Sequence, residues 1–351
     1  MNNMMLKMKK IEIITAVVFF AVLIVQGCTK KSDNLYSISV SPSAMVGTPA
    51  EKFSLQQIKM FQASNNFACT TLARAVQDTA CRNLAFAPLY LVNTVMCDTS
   101  RQAWSGAYCS NYNLTFLNPQ QLNIAMQSLQ NNVKEIDSLM DIKSSVVDSS
   151  DSLLTVLQTL KIKLMYKDAA PDDVDNIFTS SDNSKPRLNF FTVSDEIRTY
   201  ISSREQAAEI PVGNGNYMLM LVKPLEQNIT DYTADFDEEK YLTLINAMQE
   251  RKVKVSLPLF EISDTVRNLV MPSFSTEDST VNFPKRLNVI TQFAVTNADM
   301  TELSEQLTVN AASNIMQNNQ SAPLKYNSPF LFIVRGKSSN FIMFAGIFAM
   351  P

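Results

Sequence analysis

The sequence contains no histidine among its 351 residues. This absence removes every Ser-His-Asp and Cys-His arrangement for nucleophilic catalysis, and it removes mixed zinc sites of cysteine and histidine. The chain also has no GxGxxG and no GxxxxGK[ST] stretch, the glycine-rich loops that bind nucleotide phosphates. The sequence therefore predicts a protein that is not an enzyme and that uses neither a metal nor a cofactor.

The chain also has no excess of positive charge, and its net charge is −3. Nucleic-acid binding needs a basic surface, so nucleic acid is not an expected partner. The acidic stretch Asp172-Asp173-Val174-Asp175-Asn176 lacks the turn glycine and the closing glutamate of a calcium-binding EF-hand loop. A solvated acidic turn is the interpretation that this stretch favours.

The first residues have the pattern of an export signal. Three lysines lie between residues 7 and 10, and an almost unbroken apolar run follows from 13 to 25. The run is shorter than the roughly 20 apolar residues of a membrane-spanning helix, and no stop-transfer segment follows it. We therefore interpret residues 1–27 as a signal peptide, and a single-pass anchor as the weaker alternative.

The signal ends in Val25-Gln26-Gly27-Cys28, which has the form of a lipobox. In such a segment the cysteine thiol accepts a diacylglyceryl group, whose buried methylenes hold the protein on a bilayer. Thr29 and Lys30 do not have the character of an inner-membrane retention signal. The sequence thus predicts a cell-envelope lipoprotein with its lipid on Cys28, attached to the outer membrane and facing either the periplasm or the cell exterior.

The cysteines that follow the lipobox are even in number. They are Cys69, Cys81, Cys97 and Cys109. Their gaps are too wide for CxxC metal knuckles, and an exported protein lies in an oxidising compartment. We expect two disulfides among these four residues, with all three pairings open.

Residues 28–50 are polar and broken by Pro42, Gly47 and Pro49, as in a flexible tether, and one large domain is expected over 51–351. Apolar residues recur at helical spacing from 55 to 76, and a second helix is predicted from Pro88 to Cys97. Between Leu122 and Met140 they alternate by four and three. This narrow seam predicts a surface helix on a sheet, or alternatively a coiled-coil contact with a partner.

The second half of the chain has the pattern of strands. Residues 217–222 form a continuous apolar run typical of a strand covered on both faces, and 253–259 alternate strictly between apolar and polar. Residues 330–334 and 341–348 predict a hairpin, and 237–251 predict a helix. The fold class is therefore α+β, with helices first and sheet later.

The closing residues carry the most specific motif. Ser328-Pro329-Phe330-Leu331-Phe332-Ile333-Val334-Arg335, followed by residues 341–351, resembles the closing signature of the serpins nearly residue for residue. Four further segments resemble serpin elements in the right order, and together they cover the chain from about residue 56 onward. They are Asn66-Phe67-Ala68 in the first helix, 83–89 in the second, 152–166 in the central strand and its turn, and 251–260 with 264–269 in the strand that follows the helix at 238–251.

The resemblance implies a serpin-like α+β fold in which the part between Cys109 and Ser152 is shortened, and it implies an inhibitor of serine or cysteine endopeptidases. Such an inhibitor presents a reactive loop, here about 301–323, and after cleavage the first half of the loop inserts as a strand into the large sheet. The scissile bond is expected near Met316, Gln317, Asn318 and Asn319. Because no Lys or Arg lies between Met300 and Leu324, a trypsin-like target is disfavoured.

The hinge at the start of this loop departs from the family pattern of small, uncharged residues. It contains Glu302, Leu303, Ser304, Glu305 and Gln306. An ionised carboxylate inside a sheet costs several kcal/mol unless it is paired, so these residues disfavour insertion. A non-inhibitory serpin-fold protein, binding a partner or serving as a structural envelope lipoprotein, is the alternative.

The polar cluster where the family's sheet opens is also replaced. Ala87 and Tyr90 stand in place of serines, Gln158 in place of asparagine and Gln292 in place of histidine. The resemblance thus implies that the family's polar cluster at the opening point is replaced in this chain, which disfavours classical inhibition.

Overall fold

The computed structural model describes ten stretches of the chain, all within the unit formed by residues 42–351. They are 55–78, 83–88, 140–149, 153–164, 170–171, 176–212, 215, 217–269, 286–297 and 323–351. The signal peptide, Cys28, the tether, the greater part of the second predicted helix, the seam up to residue 139, the hinge and the scissile region lie outside the described residues.

Three helices are described. They are α1 (Leu55–Asp78), α2 (Ile229–Ala234) and α3 (Glu238–Ala247). The Asp237 side chain accepts a hydrogen bond from the Lys240 amide and so caps the N-terminus of α3. The helix predicted over 237–251 is confirmed but ends earlier, because Met248 is extended and the next residue begins a strand.

The larger sheet has nine strands. They are β1 (Leu84–Phe86), β4 (Ala170–Pro171), β5 (Phe190–Ile201), β6 (Glu205–Val212), β7 (Tyr217–Pro224), β8 (Gln249–Pro258), β11 (Leu324–Lys325), β12 (Phe330–Gly336) and β13 (Ile342–Phe348). Their order is β1-β13-β12-β7-β6-β5-β8-β11, with β4 beside β5. The predicted strand at 217–222 and the closing hairpin β12–β13 are confirmed, and both are buried throughout.

The smaller sheet has four strands. They are β2 (Met140–Ser149), β3 (Leu153–Leu164), β9 (Phe260–Leu269) and β10 (Arg286–Asn297), in the order β2-β3-β10-β9. β3 and β10 are parallel, whereas the other two pairs are antiparallel. The strand predicted within residues 152–166 is confirmed as β3. The predicted seam helix does not include Met140, where β2 begins.

Aromatic side chains join the two sheets. Phe260 and Phe293, from β9 and β10, pack against Phe332 and Phe348, from β12 and β13, with ring centroids 4.4 Å apart for Phe293–Phe332 and 4.7 Å for Phe260–Phe348. Beside this cluster, a Cβ atom at Gly346 would collide with the Leu84 carbonyl and the Phe332 ring. The close approach of β1 to β13 therefore requires glycine at this position.

Cys69 corrects the disulfide prediction. Its thiol is free and buried on the inner face of α1, so the disulfide predicted for it is not formed. Burial raises the pKa of the Cys69 thiol, and the charges of Glu238 and Asp237 act in the same direction. Counting cysteines could not show that this side chain faces the core. Its three candidate partners lie outside the described residues.

Candidate functional site

The structure places the two attachment points of the predicted reactive loop. β10 ends at Asn297 in the four-stranded sheet, and β11 begins at Leu324 in the nine-stranded sheet. The intervening residues therefore connect the two sheets. The hinge and the predicted scissile residues belong to this connection and lie outside the described residues, so their conformation stays a prediction.

The strand from which the loop departs forms a long parallel pair with β3. The register runs without a shift from Leu153 opposite Arg286 to Leu164 opposite Asn297. Among the described side chains of both strands, buried and more exposed positions alternate except at Thr155 and Ala294, which are also buried, as expected of a sheet with one face on the core. A strand that entered the sheet between β3 and β10 would have to break this pair.

Two polar side chains lie on the buried face of the pair. Gln158 of β3 and Thr291 of β10 are register partners and are almost completely inaccessible to solvent. The Ala87 amide donates to Gln158 Oε1 at 2.7 Å, and Gln158 Nε2 donates to the Ala87 carbonyl at 3.1 Å. The Thr291 hydroxyl donates to the Ala85 carbonyl. Both strands of the parallel pair are thus hydrogen-bonded to one short segment, residues 85–87.

That segment is held by the opposite sheet. β1 pairs with β13, with Leu84 opposite Ile347 and Phe86 opposite Ala345. The Asn83 side chain, just before β1, accepts hydrogen bonds from the Ala349 amide at 2.8 Å and the Met350 amide at 2.9 Å. β1 therefore lies between the hairpin and the β3–β10 pair, where its backbone resists separation of these two strands.

The cluster differs in part from the one predicted. Gln158 and Ala87 are brought together, although Ala87 contributes its backbone and not a side chain. Gln292 is exposed on the outer face, so its assignment to the cluster is wrong, and Thr291 occupies the buried position. The period-two pattern of Val289, Thr291 and Phe293 would have identified Thr291. Tyr90 lies outside the described residues.

Sequence reasoning also missed a buried ion cluster in the larger sheet. Glu209 of β6 accepts from Arg335 Nε of β12 at 2.5 Å and from Arg198 Nη1 of β5 at 2.7 Å. Burial alone would lower the pKa of Arg335, but the charge of Glu209 and its hydrogen bond outweigh burial and raise it. The guanidinium therefore stays charged inside the protein, and its charge is balanced by Glu209.

The same arginine organises the closing hairpin. Arg335 Nη1 donates to Asn340 Oδ1 at 2.7 Å, and Asn340 has a φ of 52°, the left-handed conformation of the turn. The Asn340 carbonyl accepts from Asn65 Nδ2 of α1 at 3.0 Å and from the Tyr241 hydroxyl of α3 at 2.9 Å. This cluster fixes two helices on the hairpin that supports β1.

Neither a metal site nor a membrane-spanning helix is found in the part of the chain that the structure describes. No group of three or more cysteine, aspartate or glutamate side chains there has the arrangement of a metal site. Within the same residues, no helix is long and apolar enough to cross a bilayer.

Comparison with known proteins agrees with this architecture. A family model described as "Serpin (serine protease inhibitor)" matches residues 160–351, more than half of the chain, whereas no curated protein matches the sequence. A structure of native protease nexin-1 with heparin has 10% identity and a TM-score of 0.59, and covers 84% of this chain and 100% of its own. Uncleaved ovalbumin has 12% identity and a TM-score of 0.62, with coverages of 83% and 100%. At such identities the likeness concerns the fold.

Proposed function

Because this chain belongs to the serpin family and has an α+β serpin fold, we propose that it is an envelope-bound protease-binding protein that presents residues 301–323 as a reactive loop. One observation carries the proposal: the loop segment begins where β10 ends and joins it to β11, and β10 forms the parallel pair with β3. A protease that cut the loop would release its first half next to the place where a strand could enter the smaller sheet.

The geometry favours a definite arrangement for such an entry. β3 and β10 are parallel and each has 12 residues. A loop segment that turned back at the end of β10 would run antiparallel to both strands, so two antiparallel pairs would replace one parallel pair. An inserted strand of matching length would use residues from about 298 to about 309, which include the whole hinge.

Two glutamates oppose this entry in any register. Glu302 and Glu305 are three positions apart, and in a regular strand side chains three apart point to opposite faces. One of the two carboxylates would therefore face the buried side, where Gln158 and Thr291 lie, at a cost of several kcal/mol if it stayed ionised and unpaired. We propose that cleavage leaves the loop outside the sheet.

The composition of the loop restricts the protease that could be engaged. The predicted scissile residues are Met316, Gln317, Asn318 and Asn319, and no basic residue lies between Met300 and Leu324. A trypsin-like enzyme needs Lys or Arg before the cut. A serine or cysteine protease that accepts Met, Gln or Asn at this position is the proposed target class.

Incubation with a panel of serine and cysteine proteases tests these proposals. Without insertion, we expect cleavage near Met316, no covalent adduct on a denaturing gel, and a nearly unchanged melting temperature of the cut protein. A denaturation-resistant adduct, or a rise of tens of degrees after cleavage, would instead support inhibition by insertion. Absence of binding and of cleavage by every protease would favour the second candidate function, a non-inhibitory serpin-fold binding or structural lipoprotein.

A hinge variant distinguishes the two obstacles to insertion, which are the hinge side chains and the contacts of Gln158 and Thr291 to β1. Glu302→Gly, Glu305→Thr and Leu307→Ala together remove the charge and bulk of the hinge. If these side chains prevent insertion, the variant should gain stability on cleavage where the wild type does not. If the variant gains none, the Gln158 and Thr291 contacts to β1 become the better explanation.

We also propose that a lipid on Cys28 attaches the protein to the outer membrane, with residues 28–50 as the tether. The lipobox and the short apolar run before it support this location. Cys28→Ala should move the folded protein from the membrane fraction to the soluble fraction, whereas the neighbouring Thr29→Ala should not. Unchanged membrane association of Cys28→Ala would refute the proposal.

A further inference from the structure

Lys325 is the first basic residue after the reactive loop. No Lys or Arg lies between it and Arg286 in β10. The loop therefore lacks trypsin sites, but the segment that returns from it to the body of the protein contains one. The Lys325 side chain is only half-buried, so its exposure alone does not prevent recognition by a trypsin-like enzyme.

The peptide group between Lys325 and Tyr326 is hydrogen-bonded through both its carbonyl and its N–H. Its carbonyl oxygen accepts a hydrogen bond from Gln206 Nε2 at 3.0 Å and another from Lys223 Nζ at 2.9 Å. Its N–H group, from Tyr326, donates to the Ser256 carbonyl at 2.8 Å. These three contacts attach the peptide group to β6, β7 and β8 at once.

Further contacts hold the residues on its C-terminal side. Lys223 Nζ also donates to Asn327 Oδ1 at 2.9 Å, and the Tyr326 hydroxyl donates to the Leu221 carbonyl at 3.2 Å inside the core. Backbone pairing of β11 is short, because only Leu324 and Lys325 pair with β8. Side chains of β6 and β7 therefore supply much of the attachment of this segment.

We infer that Lys223 and Gln206, through their hydrogen bonds to the Lys325 carbonyl, protect the Lys325–Tyr326 bond from trypsin-like proteases. A serine protease must place the scissile carbonyl in its oxyanion hole, which requires that the carbonyl be released from its present partners. Cleavage at Lys325 therefore has to wait until β11 detaches. The inference does not depend on whether the reactive loop inhibits any protease.

Limited trypsin digestion of the full chain tests the inference, with mass spectrometry used to count new termini at each site. Cleavage at Arg198 in the interior strand β5 reports global unfolding and serves as the internal reference. Wild-type protein should be cut at Lys325 far more slowly than at Arg187, an exposed arginine that is followed by Leu188. Lys223→Met and Gln206→Leu should each raise cleavage at Lys325 on the order of tenfold, with Arg198 unchanged, because cleavage follows the population of the detached segment.

Matched variants complete the experiment. Lys254→Met removes an exposed lysine from β8 and should leave cleavage at Lys325 unchanged. Asn327→Asp gives Lys223 a carboxylate partner and should slow cleavage, which keeps the test decisive if Lys223→Met fails to fold. Wild-type cleavage at Lys325 as fast as at the exposed Arg187, which is followed by Leu188, would overturn the inference. An equal rise at Lys325 and Arg198 in the Gln206 and Lys223 variants would overturn it as well.

Discussion

Gln158 is the residue whose replacement tests the site most directly. The Gln158→Leu substitution keeps a side chain of similar volume on the buried face of β3 but removes the amide. The Ala87 N–H and C=O groups, which now bond to that amide at 2.7 and 3.1 Å, would lose these partners. Both groups lie where little solvent could replace the amide.

The magnitude follows from the cost of buried unpaired polar groups. Each backbone group left without a partner costs about 1–3 kcal/mol, and the apolar leucine offsets a part of this. We expect a loss of about 2–4 kcal/mol in the free energy of unfolding. For a domain of about 300 residues that corresponds to a melting temperature lower by roughly 3–6 °C.

Thermal and urea unfolding of the purified protein measure the effect. Gln292→Leu is the matched control, because Gln292 is exposed on the neighbouring strand and should change stability by no more than about 0.5 kcal/mol. Equal effects of the two substitutions would refute the argument that Gln158 and β1 hold the parallel pair closed. A stable Gln158→Leu protein would refute it too.

Three further outcomes are expected. Glu209→Ala leaves the charge of Arg335 buried and unpaired, so it should cost about 3–5 kcal/mol in urea unfolding, whereas the exposed Glu196→Ala should cost little. Desolvation lowers the pKa of Lys223 to about 8, below its ordinary value of 10.5. Between these two pH values the unfolded chain binds more protons than the folded protein, so the stability of the wild type should rise with pH relative to that of Lys223→Met. A stability difference between the two proteins that does not change with pH would contradict this. Cys69 should resist iodoacetamide in the native protein and react after unfolding in guanidinium, and rapid native alkylation would show that it is accessible.

Strands that are buried on both faces could be predicted from the sequence. The runs at 217–222 and 330–334 contain almost only apolar residues, because β7 and β12 are covered on both faces. The hairpin β12–β13 follows from two such runs joined by a short polar turn. In these segments burial on both faces determines the apolar composition, so a single sequence is enough to predict the strands.

Other elements depend on partners far away in the chain. β2 has the sequence MDIKSSVVDS, which shows neither a clear alternation nor a continuous apolar run. It forms a strand through its pairing with β3, which its own composition does not indicate. The contact between Gln158 and Ala87 joins residues 71 positions apart. The error of one residue between Gln292 and Thr291 had a local cause, since an alignment by resemblance ignored the period of two along β10.

The pairing of β1 with β13 has a consequence for the order in which the protein can fold. Leu84 meets Ile347 only after nearly the whole chain is available, and this separation in sequence makes the contact slow to form. Gln158 and Thr291 can bond to the backbone of 85–87 only once the last hairpin has positioned it. Until then the strands β3 and β10 lack these partners, and a nascent or refolding chain passes through a stage in which its smaller sheet can accept the wrong strand, including one from another molecule.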